Sequence, residues 1–121
     1  YAEKFADLEF QQAAVLLSRV VSKPGSDRVT LDLGHKGIAA ENPHPRVKFI
    51  RLDDAEAMVH SEEHLTLQTD RAGDFRVGDL LYGIPRHICP TVALYDRAYI
   101  IRMGKLTAQW QVTARARKLT Y

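Results

Sequence analysis

Leu81-Tyr82-Gly83-Ile84-Pro85-Arg86-His87-Ile88-Cys89-Pro90-Thr91-Val92 is the stretch on which the reading of this chain turns. It holds the only cysteine, with a histidine two positions before it. On an extended strand, residues i and i+2 share a face. An imidazole and a thiolate would then project together, and zinc takes both. Two donors do not close a tetrahedral shell, and an open shell marks a catalytic rather than a structural metal. The plainer alternative is a buried free cysteine beside a histidine bonded to backbone. A two-residue motif does not decide between them. The flanks add weight to the ligand reading: Gly83 and Pro85 before the pair, and Pro90 after it, constrain the backbone on both sides.

Outward from this stretch, the chain reads as mostly β. Residues 13–22 are rich in Val and Leu and run into the turn signal Lys23-Pro24-Gly25-Ser26. Residues 28–33 alternate apolar and polar side chains, and pair with the first segment as antiparallel strands. Further strands fall at 47–52, 55–61 and 64–69, with the last two paired and a turn at Asp70-Arg71-Ala72-Gly73. Residues 78–83 lead into the His-x-Cys stretch, and 99–103 with 106–114 flank Gly104-Lys105 as a tight hairpin. Helix is scarce: Glu3 to Gln12 has room for a short one, and Pro90 to Tyr95 for a turn. Many short strands punctuated by Gly and Pro predict an antiparallel barrel-like or sandwich domain.

Composition bounds the rest. The 121 residues make one domain, and 45% hydrophobic residues suffice for a core. Lys+Arg 17 against Asp+Glu 15 leaves +2, too balanced for nucleic-acid binding through charge. Arg102, Lys105, Arg115, Arg117 and Lys118 read as a solvated strand face. One cysteine excludes an internal disulfide and fits a reduced, cytoplasmic setting. No apolar run reaches about 18 residues, so no membrane helix is expected. The first ten residues carry neither a basic nor an apolar signal region.

Gly-Ile-Pro-Arg-His-Ile-Cys-Pro-Thr-Val at 83–92 resembles the metal-binding segment of the D-serine dehydratase and D-threonine aldolase family, pyridoxal-phosphate enzymes of the alanine racemase type. Three more pieces are similar, in the family's order: Arg28-Val29-Thr30-Leu31-Asp32-Leu33-Gly34-His35-Lys36, Ser61-Glu62-Glu63-His64, and Val77-Gly78-Asp79. Leu65 stands where the family has glycine. The resemblance implies His87 and Cys89 as ligands of zinc or another divalent metal. It implies the β-domain that follows a (β/α)8 barrel, with pyridoxal phosphate and a D-amino acid substrate in the intact homodimeric enzyme. Such a barrel takes roughly 200 residues or more, and the family's Schiff-base lysine segment has no match here. Residues 1–121 therefore read as a single C-terminal β-domain whose N-terminal barrel partner lies elsewhere, inactive alone.

Several residues remain with two readings. Tyr82 is a packing residue or faces the substrate pocket. Asp32 and Lys36 read as a surface pair across a turn. Trp110 anchors the core or the interface with the missing domain. His60 and His64, four apart, do not form the zinc-protease pattern and read as a loop with one structural histidine. His35 and His44 have no partner at ligand spacing. Three functions follow: a metal-assisted lyase domain acting on β-hydroxy D-amino acids, a metal-free racemase domain, or a β-barrel dimerisation module in which His87 and Cys89 are structural.

Overall fold

A computed structural model describes residue 7 and residues 9–120. Six strands form one antiparallel sheet: β1 (Leu16–Gly25), β2 (Arg28–Leu31), β3 (Val47–Phe49), β4 (Glu56–His60), β5 (Leu65–Gln68) and β6 (Leu80–Pro85). Their order across the sheet is β3-β6-β1-β2-β5-β4. The sheet curls into a half-barrel. Val47 and Phe49 on one edge strand line the same interior gap as Ala57, Leu65 and Leu67 from β4 and β5. A short helix α1 (Ile88–Val92) follows β6, and a separate hairpin joins β7 (Arg97–Arg102) to β8 (Lys105–Gln111). The mainly β, barrel-like expectation holds.

The core follows from the alternation along the strands. Val20, Val29, Leu31, Leu65, Leu67, Phe49 and Leu81 all point inward and are nearly or wholly buried. Leu65 begins β5 as a core residue, and the Ser61–His64 turn before it forms all the same, closed by Ser61 N–H donating to the His64 carbonyl at 2.8 Å. Thr30 and Thr66 face each other across β2 and β5 with hydroxyls 3.0 Å apart. Gly83 sits where β6 runs against β3, and a Cβ there would lie 2.4 Å from Val47 Cγ2.

Boundaries differ from expectation for local reasons. β1 continues through Lys23-Pro24-Gly25, and the turn is Ser26-Asp27. Register shifts on both sides of Ser22 take the ladder out of step there, the kind of site where a strand tolerates proline. The hairpin turn is Met103-Gly104, both with positive φ, one residue earlier than predicted. Residues 9–12 are not helical, and most of the remaining Glu3–Gln12 stretch lies outside the described residues. Trp110 is 62% exposed on β8, so the core-anchor reading fails. Its strand belongs to a ribbon that has two strands among the described residues.

Candidate functional site

β6 ends at Pro85, and His87 and Cys89 lie beyond it rather than on a strand. His87 is the extended N-cap residue of α1, and Cys89 lies in the helix's first turn. The strand argument for a shared face is therefore replaced by a strand-to-helix junction. Pro90 explains the change: in a first helical turn its missing N–H is no loss. Cys89 is a free, exposed thiol.

The junction is held from behind. Thr91, 1% exposed, donates from Oγ1 to the His87 carbonyl at 2.7 Å and accepts the Ala39 N–H at 3.2 Å. Tyr95 O–H donates to the Gly37 carbonyl at 2.7 Å. Both contacts tie α1 and its exit to the loop after β2. From that loop Glu41 reaches His87: its Oε1 lies 2.5 Å from Nδ1 and also accepts the Asn42 amide at 2.7 Å. The bond to His87 holds the Glu41 carboxyl below its usual range.

The same loop docks against the β4–β5 turn. His35 N–H donates to the Ser61 carbonyl at 2.9 Å and Lys36 N–H to the Glu62 carbonyl at 3.1 Å. A Cβ on Gly34 would stand 2.1 Å from the Glu62 carbonyl oxygen. Two of the quoted family-like segments are thus one packed unit. Lys36 pairs with Glu63 at 2.5 Å and Glu62 at 3.3 Å, not with Asp32. Asp32 instead accepts the Arg19 N–H at 2.6 Å. The two glutamates raise the Lys36 pKa, so its ammonium is poorly suited to Schiff-base chemistry.

A histidine cluster adjoins Asn42. Arg46 donates from Nε to the Asn42 carbonyl at 2.8 Å, and its Nη1 lies 2.9 Å from His60 Nδ1 and 3.3 Å from His35 Nε2. His60 Nε2 is 3.1 Å from the Leu33 carbonyl, which can only accept. The hydrogen therefore sits on Nε2, and Nδ1 accepts from Arg46. His35 packs edge-on to His60 with centroids 4.4 Å apart, and His44 lies at 5.5 Å. Neither had a partner by spacing in sequence; folding brings each against His60, from a distant part of the chain.

Burial, then the charges of His35 and Arg46, push the His60 pKa from 6.5 to about 4. Arg46, His35 and His44 all face it, with the Leu33 carbonyl opposing their effect. The unfolded chain binds a proton at His60 in that window while the folded chain does not. Stability contributed by neutral His60 is therefore complete above pH 6.5 and is lost as pH falls towards 4. Melting temperatures measured from pH 7.5 to 4 should fall in wild type, with a shallower slope in His60→Gln. Equal slopes would show that the imidazole does not titrate as described.

Tyr82 lies on the outer face of β6, 49% exposed, in a groove with Ile50, Leu52, Arg71, Phe75 and Leu80. His87 and Cys89 do not line that groove. His64 stays in its turn, its N–H bonded to Ser61 Oγ at 3.2 Å. Glu41, Arg46 and Thr91 carry the site's geometry, and the sequence marked none of them as functional. Among the described residues, no group of three or more His, Cys, Asp or Glu is gathered as a complete ligand set.

The sequence model described as "Putative serine dehydratase domain" matches residues 13–101. The chain belongs to that family. All four family-like segments lie inside the match. An uncharacterized protein of Mycobacterium tuberculosis is 35% identical over 116 residues, covering 93% of this chain and 87% of that protein. A D-threonine aldolase from an Arthrobacter species is 31% identical, covering 89% of this chain but only 28% of the aldolase. Among solved structures, the D-threonine aldolase of Filomicrobium marinum superposes with a TM-score of 0.79 at 22% identity, over 89% of this chain and 29% of the enzyme. An alanine racemase-like protein of Idiomarina loihiensis matches with a TM-score of 0.67 at 20% identity, over 80% of this chain and 30% of that one. The family's fold and the alanine racemase-type β-domain are thereby established for this chain. No helix among the described residues is long and apolar enough to cross a membrane.

Proposed function

We propose that this chain is the C-terminal domain of a pyridoxal-phosphate-dependent lyase acting on D-amino acids with a β-hydroxyl, and that His87 and Cys89 hold its zinc. The observation that carries the reading is the junction after β6. There an imidazole fixed through Nδ1 and an exposed thiol stand within three residues, on a backbone clamped by Thr91. This donor set fits zinc: the thiolate is soft, and the free Nε2 is a borderline donor. A zinc ion held here would supply Lewis acidity towards the substrate hydroxyl.

The chain's own residues hold and orient. Glu41 keeps the His87 ring in place, Thr91 fixes the His87 carbonyl, and Cys89 offers a charge-balancing thiolate. Lys36 does not suit the Schiff base, since it is locked as an ammonium between Glu62 and Glu63. The Schiff-base lysine, and the cofactor, belong to the barrel domain. The isolated chain should have no turnover.

Elemental analysis of the enzyme carrying this domain, for wild type and Cys89→Ala, tests the reading alongside D-serine and D-threonine turnover. Stoichiometric zinc in wild type, and its loss together with activity in the variant, is expected. Full activity without zinc would overturn it and bring the racemase reading forward.

One finding favours a second reading, a non-catalytic dimerisation module. The matched 116 residues make up 87% of the Mycobacterium tuberculosis relative, which leaves no room there for a barrel of roughly 200 residues. In this chain the β7–β8 hairpin exposes Tyr99, Ile101, Leu106 and Trp110. A lone two-stranded ribbon is marginal in water without cover. Light scattering on the purified chain decides: a dimer supports this reading, and a monomer at micromolar concentration removes it.

A further inference from the structure

We propose that Glu41 is the positioning residue of the metal centre: its carboxylate holds the His87 ring in the tautomer that leaves Nε2 free for a divalent cation. This rests on the zinc reading of His87 and Cys89 and adds a residue 46 positions away that no motif marks.

The geometry distinguishes this pair from an ordinary surface contact. Both side chains are about half exposed, 48% and 46%, and such pairs are usually loose and contribute little. Here each partner is anchored. Glu41 Oε1 is also held by the Asn42 amide at 2.7 Å. The Asn42 carbonyl in turn accepts from Arg46, whose Nη1 reaches His60. On the other side, the His87 carbonyl is bonded to the buried Thr91 hydroxyl, and the same hydroxyl accepts the Ala39 N–H from the Glu41 loop. The loop and α1 are therefore joined at two points, the Glu41–His87 contact and the buried Thr91 hydroxyl.

The chemistry follows from the acceptor. An ionised carboxylate can only accept, so the ring hydrogen lies on Nδ1. In the neutral ring, Nε2 then bears the lone pair. A carboxylate on the far nitrogen orients a ligating histidine and raises its basicity, and removing such a partner weakens metal affinity by about 10–100-fold. Glu41 acts on the metal through His87 and need not touch it.

The test is zinc and cobalt titration of the 121-residue chain as wild type, Glu41→Gln, Glu41→Asp and Cys89→Ala, with ring ¹⁵N spectra of His87 in the metal-free chain. Glu41→Gln is half-exposed and isosteric, so unchanged circular dichroism is expected. Zinc affinity should fall by about 10–100-fold in Glu41→Gln and partly recover in Glu41→Asp. The cobalt–thiolate absorption band should keep its shape, because both ligands remain. The wild-type His87 proton should lie on Nδ1. Unchanged affinity in Glu41→Gln, or a wild-type ring protonated at Nε2 alone, would overturn the proposal. A changed cobalt band would also overturn it, making Glu41 a direct ligand. Absence of zinc binding in wild type would instead sink the zinc reading itself, and the ring spectra would still decide whether Glu41 sets the tautomer.

Discussion

Gly34→Ala should unfold or severely destabilise this chain, by about 3 kcal/mol or more, the upper end of what overpacking costs. The added methyl would sit 2.1 Å from the Glu62 carbonyl oxygen, 2.2 Å from its carbon and 2.3 Å from the Glu63 nitrogen. All three are backbone atoms, so no side chain can rotate away. Relief requires the β2 exit to part from the β4–β5 turn. That movement breaks His35 N–H to the Ser61 carbonyl and Lys36 N–H to the Glu62 carbonyl. It also draws the Lys36 ammonium away from Glu62 and Glu63. Thermal denaturation checks this, with roughly 4 °C of melting temperature lost per kcal/mol. Gly73→Ala is the control, since a Cβ there meets nothing within 4 Å. A Gly34→Ala protein melting like the control would refute the close approach.

Ile38→Ala should cost about 2–5 kcal/mol, the range for emptying a fully buried aliphatic site. Ile38 is wholly buried in the core cluster although it lies in a loop. It is the apolar root of the segment that carries Ala39 to Thr91 and Glu41 to His87. The cost should therefore appear twice, as lowered stability in denaturant and as weaker zinc binding under conditions where the chain is still folded. Leu67→Ala, buried in β5 beyond this loop, should match the first effect without the second. If both variants bind zinc like wild type, the loop does not depend on its core anchor. If both lose it equally, the loss reports general loosening.

Strand existence was legible because side-chain direction alternates strictly along a strand. The apolar–polar pattern of Leu65–Gln68 shows directly which residues face inward, whereas on Arg28–Leu31 polar Thr30 is buried too. The hairpin was legible for the same reason, together with the need for positive φ at its turn. Pro24 looked like a stop but sits in a stretch of irregular pairing, whereas Pro90, expected to open a turn, does occupy the first turn of helix α1. Each requires only that its own N–H be unneeded, which sequence cannot distinguish among a turn, a bulge and a helix start.

Of the candidate site, the chain by itself determined the donor types and their nearness: His87 and Cys89 are two residues apart in any fold, and their flanks matched one family's segment. Tertiary structure alone decided what stands behind them. Glu41 reaches His87 across 46 positions, Thr91 reaches Ala39 across 52, and His60 on β4 meets Arg46, His35 and Leu33 from the loop between β2 and β3. Hydrogen bonds of this kind leave no periodic trace. A strand's alternation is imposed by its own backbone, whereas a partner dozens of residues away is chosen by how the sheet curls and which loops its ends bring together.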